Sequence, residues 1–125
     1  MEGSMAVILV VDDSSFARKA TMKIVSLLGY DTLAADGGEE CLKMARDYSP
    51  SCILLDMLMP GMSGPEILNK LKEDYPQIPV IVQTADIQES VRDECLKLGA
   101  KAFLNKPPHS NELAEAIKKA LAGDG

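Results

Sequence analysis

Short apolar runs that end in a chemically capable polar residue punctuate the chain. Val7-Ile8-Leu9-Val10-Val11 runs into Asp12-Asp13, and Cys52-Ile53-Leu54-Leu55 into Asp56. Val80-Ile81-Val82 leads to Thr84, and Ala102-Phe103-Leu104 leads to Lys106-Pro107. Apolar runs of this length, alternating with longer helical patterns, predict parallel strands buried on both faces.

Between them the spacing turns helical. Strand one is expected over Ala6 to Val11. Ser14 or Ser15 can cap a helix whose apolar positions are Ala17, Ala20, Ile24, Leu27 and Leu28, closed by Gly29. A weaker second strand covers about Asp31 to Ala35. Asp36 is then expected to cap a second helix, with Glu39 placed as in a capping box and Cys41, Leu42 and Ala45 facing inward. Ser49-Pro50 breaks the chain before strand three. A loop from Met57 to Ser63 leads to Gly64-Pro65, which opens a third helix with Ile67, Leu68 and Leu71 inward. Pro76 and Pro79 bracket the turn into strand four. Helix four is expected from about Ile87 to Leu98, closed by Gly99, with a stripe of Ile87, Val91, Cys95 and Leu98 so narrow that most of it faces solvent. Strand five covers Ala102 to Asn105. The last helix carries Leu113, Ala116, Ile117, Ala120 and Leu121 at full amphipathic spacing.

Alternating strands and helices joined by right-handed crossovers lead to an α/β fold, a doubly wound five-stranded parallel sheet with five helices and strand order 2-1-3-4-5. In such sheets ligands bind outside the carboxyl ends of the strands, where the order reverses. Strands one and three are neighbours at that point, so Asp12, Asp13 and Asp56 are expected to converge there.

The chain has 125 residues, enough for one domain with a real core. Residues 1–5 are expected to be an expression remnant or a disordered N-terminus, 6–122 the domain, and 123–125 a tail. A net charge of −6 without a basic cluster argues against nucleic acid as a direct partner. No apolar stretch is long enough to insert in a membrane, and no signal peptide is apparent. Cys41, Cys52 and Cys95 are widely spaced and odd in number, so free thiols of a cytoplasmic protein are expected. His109, the single histidine, follows Pro107-Pro108 in a loop and reads as a bystander.

Carboxylates crowded at one sheet edge repel one another unless a cation sits among them. Mg²⁺ suits such a set, because it is hard, takes oxygen ligands and binds through one or two carboxylates plus a phosphate. Asp12 and Asp13 are candidate ligands, with the Leu58 backbone carbonyl a further one; the plainer alternative is acids that merely start a helix. Asp56 ends an apolar strand, where an unused carboxylate is costly. A carboxylate there can attack phosphorus and form an acyl phosphate. Lys106 can balance the transferred charge and Thr84 can donate to phosphoryl oxygens. Taken singly, Thr84 reads as a strand-end residue and Lys106 as a surface charge.

These residues carry a resemblance. Val10-Val11-Asp12-Asp13-Ser14, Leu54-Leu55-Asp56-Met57 with Met59-Pro60 and Gly64, Thr84-Ala85, and Lys106-Pro107 occur in this order. The sequence is similar to receiver domains of bacterial two-component response regulators over about Ala6 to Ala122, and in size to the stand-alone, CheY-like chemotaxis type. The sheet order above is that family's own (the flavodoxin-like arrangement), so topology and resemblance are not independent. The resemblance implies Asp56 as phosphoacceptor, Asp12, Asp13 and Asp56 with the Leu58 carbonyl as the Mg²⁺ site, Thr84 as switch hydroxyl and Lys106 as the ammonium at the phosphoryl group. It implies a cis Lys106-Pro107 bond in many members. Phe103 takes the position of the family's switch aromatic, without the hydroxyl of the usual Tyr; a half-buried strand residue is the plainer alternative. The implied partners are a sensor histidine kinase as phosphodonor and a downstream target or output domain, with the chain a monomer or weak dimer rather than an enzyme acting on a separate substrate.

Rival functions differ at the site. Haloacid dehalogenase-like phosphatases place a second Asp two residues after the nucleophile, where this chain has Leu58. A flavin or nucleotide binder on the same sheet would need a glycine-rich loop after strand one, where acids stand. A receiver cut from a larger protein, or a docking module that has kept the fold without the chemistry, would show the same motifs. Leu58 is expected to shield a phosphoryl group from water, and Asp86 to orient water or repel the group.

Overall fold

The structure, a computed structural model, describes residues 6–85 and 88–123. The expected N-terminal remnant, Asp86, Ile87 and the end of the tail lie outside the described residues. The elements run β1 (Val7–Val11), α1 (Ser15–Leu27), β2 (Asp31–Ala35), α2 (Gly38–Tyr48), β3 (Cys52–Leu55), α3 (Gly64–Asp74), β4 (Val80–Thr84), α4 (Glu89–Lys97), β5 (Ala102–Asn105) and α5 (Ser110–Leu121). The strands form one sheet in the order β2-β1-β3-β4-β5, every neighbouring pair parallel. The doubly wound α/β fold and its switch point between β1 and β3 are therefore as the alternation of elements predicts.

Successive strand residues point to opposite faces, which divides the core in two. Leu9, Val11, Ile53, Leu55, Val80 and Val82 meet Cys41 and Ala45 of α2, Ile67, Leu68 and Leu71 of α3, and Cys95 of α4. Ile8, Val10, Cys52, Leu54 and Ile81 meet Val25 of α1 and Leu113, Ile117 and Ala120 of α5. The narrow stripe of α4 leaves Cys95 as its one buried residue among those described. Gly29 and Gly99 adopt φ of +100° and +102° just beyond α1 and α4, the left-handed conformation that a glycine tolerates after a helix.

Two local expectations are corrected. In α1 the buried residues are Thr21 and Val25, whereas Ala20 and Leu27 are exposed. An apolar-only stripe omits Thr21, and so turns the inward face toward the wrong side of the helix. Thr21 is tolerated inside because Gln83 Nε2 of β4 donates to its hydroxyl at 3.4 Å. In α2 the cap is Gly37 rather than Asp36, with no side-chain cap bond. Glu39 and Glu40 instead place negative charge in the first turn, where the helix dipole favours it. A full capping box occurs at α3: Ser63 Oγ accepts from the Glu66 N–H at 3.2 Å, and the Glu66 carboxylate accepts from the Ser63 N–H at 3.1 Å.

Candidate functional site

Strand register sets the site. Val11 pairs with Leu55 and Leu55 with Val82, so Asp12, Asp56 and Gln83 come next along three adjacent strands. Adjacent strands lie only about 4.8 Å apart, so two acids at the same level on β1 and β3 must crowd. Asp12, Asp13 and Asp56 each offer a carboxylate oxygen within 4.8 Å of the others. Thr84 pairs with Asn105, and Lys106 follows, its N–H donating to the Thr84 carbonyl at 2.9 Å. The Lys106-Pro107 bond is cis.

Asp12 is fully buried, and every polar group it has is engaged. Its N–H donates to the Ala35 carbonyl at 3.1 Å. Its carbonyl accepts from Arg18 Nη1 at 2.8 Å, and Oδ1 accepts from the Ser14 N–H at 2.9 Å. Oδ2 accepts from Lys106 Nζ. Asp56 is 4% exposed; Oδ1 accepts from the Leu58 N–H at 3.0 Å and Oδ2 from Lys106 Nζ at 2.9 Å. Asp13 is exposed at the rim.

Burial pushes the Asp56 carboxyl above its usual range, and the Asp12 charge adds to the push; the Leu58 N–H and Lys106 only partly offset it. For Lys106 burial works to lower the pKa, and the hydrogen bonds to Asp12 and Asp56 more than reverse it, so the ammonium is held charged. One ammonium against three carboxylates leaves the cluster short of positive charge. All the donors are hard oxygens, so the set fits a small divalent cation such as Mg²⁺.

The other predicted residues fall as follows. Thr84 is fully buried at the end of β4, on the α2–α3–α4 face by alternation from Val82. Phe103 pairs with Val82 and packs half-buried against that same core. Leu58, two residues after Asp56, is 52% exposed. His109 is exposed and precedes α5 as its cap without a side-chain cap bond. Sequence reasoning missed Arg18, which reaches the Asp12 carbonyl from α1 and belongs to no short motif. It also missed Gln83, although a lone amide closing the apolar run Val80-Ile81-Val82 was a visible signal.

The acidic cluster thus stands at the switch point of a doubly wound parallel sheet, the place where proteins of this fold class bind their ligands. Comparison with known proteins narrows this. The family model described as "Response regulator receiver domain" matches residues 8–118, and the chain belongs to that family. It is 34% identical over 121 residues to "Response regulator GacA" of Pseudomonas aeruginosa, covering 95% of this chain and 56% of that protein. It is 32% identical over 115 residues to "Chemotaxis protein CheY" of Bacillus subtilis, covering 91% of this chain and 96% of that one. A crystal structure of a CheY-like receiver domain protein from Methanospirillum hungatei superposes with a TM-score of 0.90 at 29% identity, covering 97% of both chains. The chain spans about half the length of several relatives it matches, GacA among them. Receiver domains are signalling domains that bind Mg²⁺ at an acidic pocket, take phosphoryl groups from histidine kinases and regulate output domains. Among the described residues no helix is long and apolar enough to cross a membrane.

Proposed function

We propose that this chain is a phosphorylation-activated switch of a cytoplasmic two-component phosphorelay, with Asp56 as its phosphoacceptor. The observation that carries this is Asp56 itself: a buried carboxylate at the end of β3, one oxygen fixed by the Leu58 N–H and the other facing Lys106, with Asp12 and Asp13 beside it. A side chain fixed in this way keeps its nucleophilic oxygen in place with little entropy left to lose.

An Asp56 oxygen attacks the phosphorus of a phosphohistidine on a sensor kinase. The new O–P bond forms as the P–N bond breaks, and the electron pair returns to the imidazole. Asp12, Asp13 and Asp56, with the Leu58 carbonyl, would hold Mg²⁺. That ion supplies charge neutralisation for phosphoryl oxygens. Lys106 exchanges its contact with Asp56 Oδ2 for the phosphoryl oxygens, and the Thr84 hydroxyl donates to them.

Phosphorylation adds charge and acceptor oxygens at the edge of β3. Drawing Thr84 toward them biases the space that Phe103 shares with Val82, and through β5 the α4–β5–α5 surface. That surface then favours or releases a downstream protein or output domain, by differential contacts in the two states.

The test is intact-protein mass after incubation with acetyl phosphate and Mg²⁺. Wild type gains one phosphoryl group, and Asp56→Asn or chelation abolishes the gain. A folded, metal-binding wild type that gains nothing would instead be a docking module.

A further inference from the structure

The peptide units on either side of Asp12 are both held by hydrogen bonds, and one of the two holds is a side chain. On the β1 side, the Asp12 N–H is tied to the Ala35 carbonyl at 3.1 Å. Beyond it, the Asp12 carbonyl, which belongs to the plane leading into Asp13, accepts from Arg18 Nη1 at 2.8 Å. Asp12 has further anchors through both carboxylate oxygens, and it is fully buried. Asp13 is exposed, so packing does little to fix it. The peptide plane leading into Asp13 sets the direction of its Cα–Cβ bond, from which the carboxylate reaches toward Asp12 and Asp56.

Arg18 lies one turn into α1 and lines a cleft with Asp36 and Glu40. A guanidinium presents a rigid planar fork, so it grips a carbonyl with less loss of rotamer freedom per bond than a lysine ammonium incurs. Its hydrogen bond is charge-assisted, the stronger kind.

We propose that Arg18 is a positioning residue for the cation site: by holding the Asp12 carbonyl it sets the peptide plane that aims Asp13 at Asp12 and Asp56. This rests on the Mg²⁺ site of the proposed function. It makes a prediction opposite in sign to simple electrostatics. Removing a positive charge near a cation site should tighten cation binding; removing a positioning residue should weaken it.

The experiment is calorimetric titration of the unphosphorylated protein with MgCl₂, beside urea denaturation without metal. Arg18→Ala is expected to weaken Mg²⁺ binding about 10-fold, the lower end of the loss typical of residues that orient metal ligands. Arg18→Lys, which keeps a charged donor on a long stem, recovers most of the affinity. In an Asp13→Asn background Arg18→Ala costs nothing further, because the residue it works through is gone. Affinity unchanged or tighter in Arg18→Ala, or an equal loss with and without Asp13, overturns the proposal. Should Arg18→Ala not fold, Arg18→Met keeps the apolar stem, lacks the donor and faces the same criteria. A wild type that binds no Mg²⁺ overturns the metal reading and this inference together, whereas normal wild-type binding with an indifferent Arg18 overturns this inference alone.

Discussion

Lys106 Nζ stands 2.9 Å from Asp56 Oδ2 and hydrogen-bonds Asp12 Oδ2 as well, so a single ammonium just after β5 ties together the two acids that follow β1 and β3. Both carboxylates are nearly or fully buried, and the lysine side chain is 17% exposed. Removing one partner from such a group leaves charge without compensation in a poorly solvated place. Lys106→Met is therefore expected to lower metal-free stability by about 3 kcal/mol, the low end for a broken buried pair. Urea denaturation measures it. Mg²⁺ should bind the variant more tightly than wild type, since the competing cation is gone, and should restore part of the lost stability by mass action. Phosphoryl uptake should nevertheless fall. A variant as stable as wild type without metal would show that the ammonium contributes nothing to holding the acids in place.

Gly64 controls the other side of the loop after β3. A Cβ there would come within 2.5 Å of Met57 Sδ and Cε and 3.1 Å of Met57 Cα. The thioether can swing away; the backbone atom cannot without shifting the Asp56–Leu58 segment. Gly64→Ala is expected to destabilise the fold by about 1–3 kcal/mol, the range for overpacking. Met57→Ala in the same chain should return part of that loss, because it removes the closest atoms and leaves only the Cα approach. Phosphoryl uptake by Asp56 should fall in the single variant and partly recover in the double. Equal stability of Gly64→Ala and wild type would mean that the first turn of α3 adjusts freely.

The thiols supply the pH dependence. Burial pushes Cys41 and Cys52 up to about 12, from an ordinary value of 9.0. A group whose folded pKa lies above its unfolded pKa keeps the proton longer in the native state. Its contribution is thus fully present below the unfolded value and is lost as pH rises toward the folded one. Stability should be insensitive to these thiols below about pH 8 and should decline from pH 9 upward. Cys41→Ser,Cys52→Ser should flatten that decline, although each serine costs stability of its own. At pH 8 a thiol reagent should label native Cys41 and Cys52 only at the rate of structural opening, and denaturant should accelerate it sharply. Fast labelling of either in the native state would contradict their burial.

How much of this was legible in the sequence depended on the length of the signal. β3 and the inner positions Ile67, Leu68 and Leu71 of α3 were readable because an unbroken apolar run or a full stripe has one consistent interpretation. β2 was readable in its bounds despite a weak pattern, since Gly29 and Asp36 punctuate it. The convergence of Asp12 and Asp56 followed from strand order alone; the ladder then put them side by side. Legibility ended where a polar side chain does the work of an apolar one. Thr21 faces inward on α1 because Gln83 waits across the core, and neither residue announces the other over a separation of 62 positions. Arg18 was hidden for a related reason, because its partner is a backbone carbonyl and leaves no mark in the sequence.

Gln83 offers the last prediction. Its side chain is fully buried, its Nε2 donates over a long 3.4 Å to Thr21 Oγ1, and its Oε1 has no hydrogen-bond partner among the described residues. A buried amide oxygen left unpaired costs about 1–3 kcal/mol, more than one long neutral hydrogen bond returns. Gln83→Met keeps the length and removes both polar atoms, while Thr21 retains the option of bonding its own helix backbone one turn earlier. Gln83→Met is therefore expected to raise stability by about 1 kcal/mol, read from the urea midpoint at unchanged slope. Thr21→Val added to it should raise stability again, whereas Thr21→Val alone should lower it by leaving the amide with no partner at all. This reversal of sign between the two backgrounds is the decisive measurement. A destabilised Gln83→Met would mean that the amide earns its place through its neighbour Thr84, and phosphoryl uptake of the variant would then fall as well.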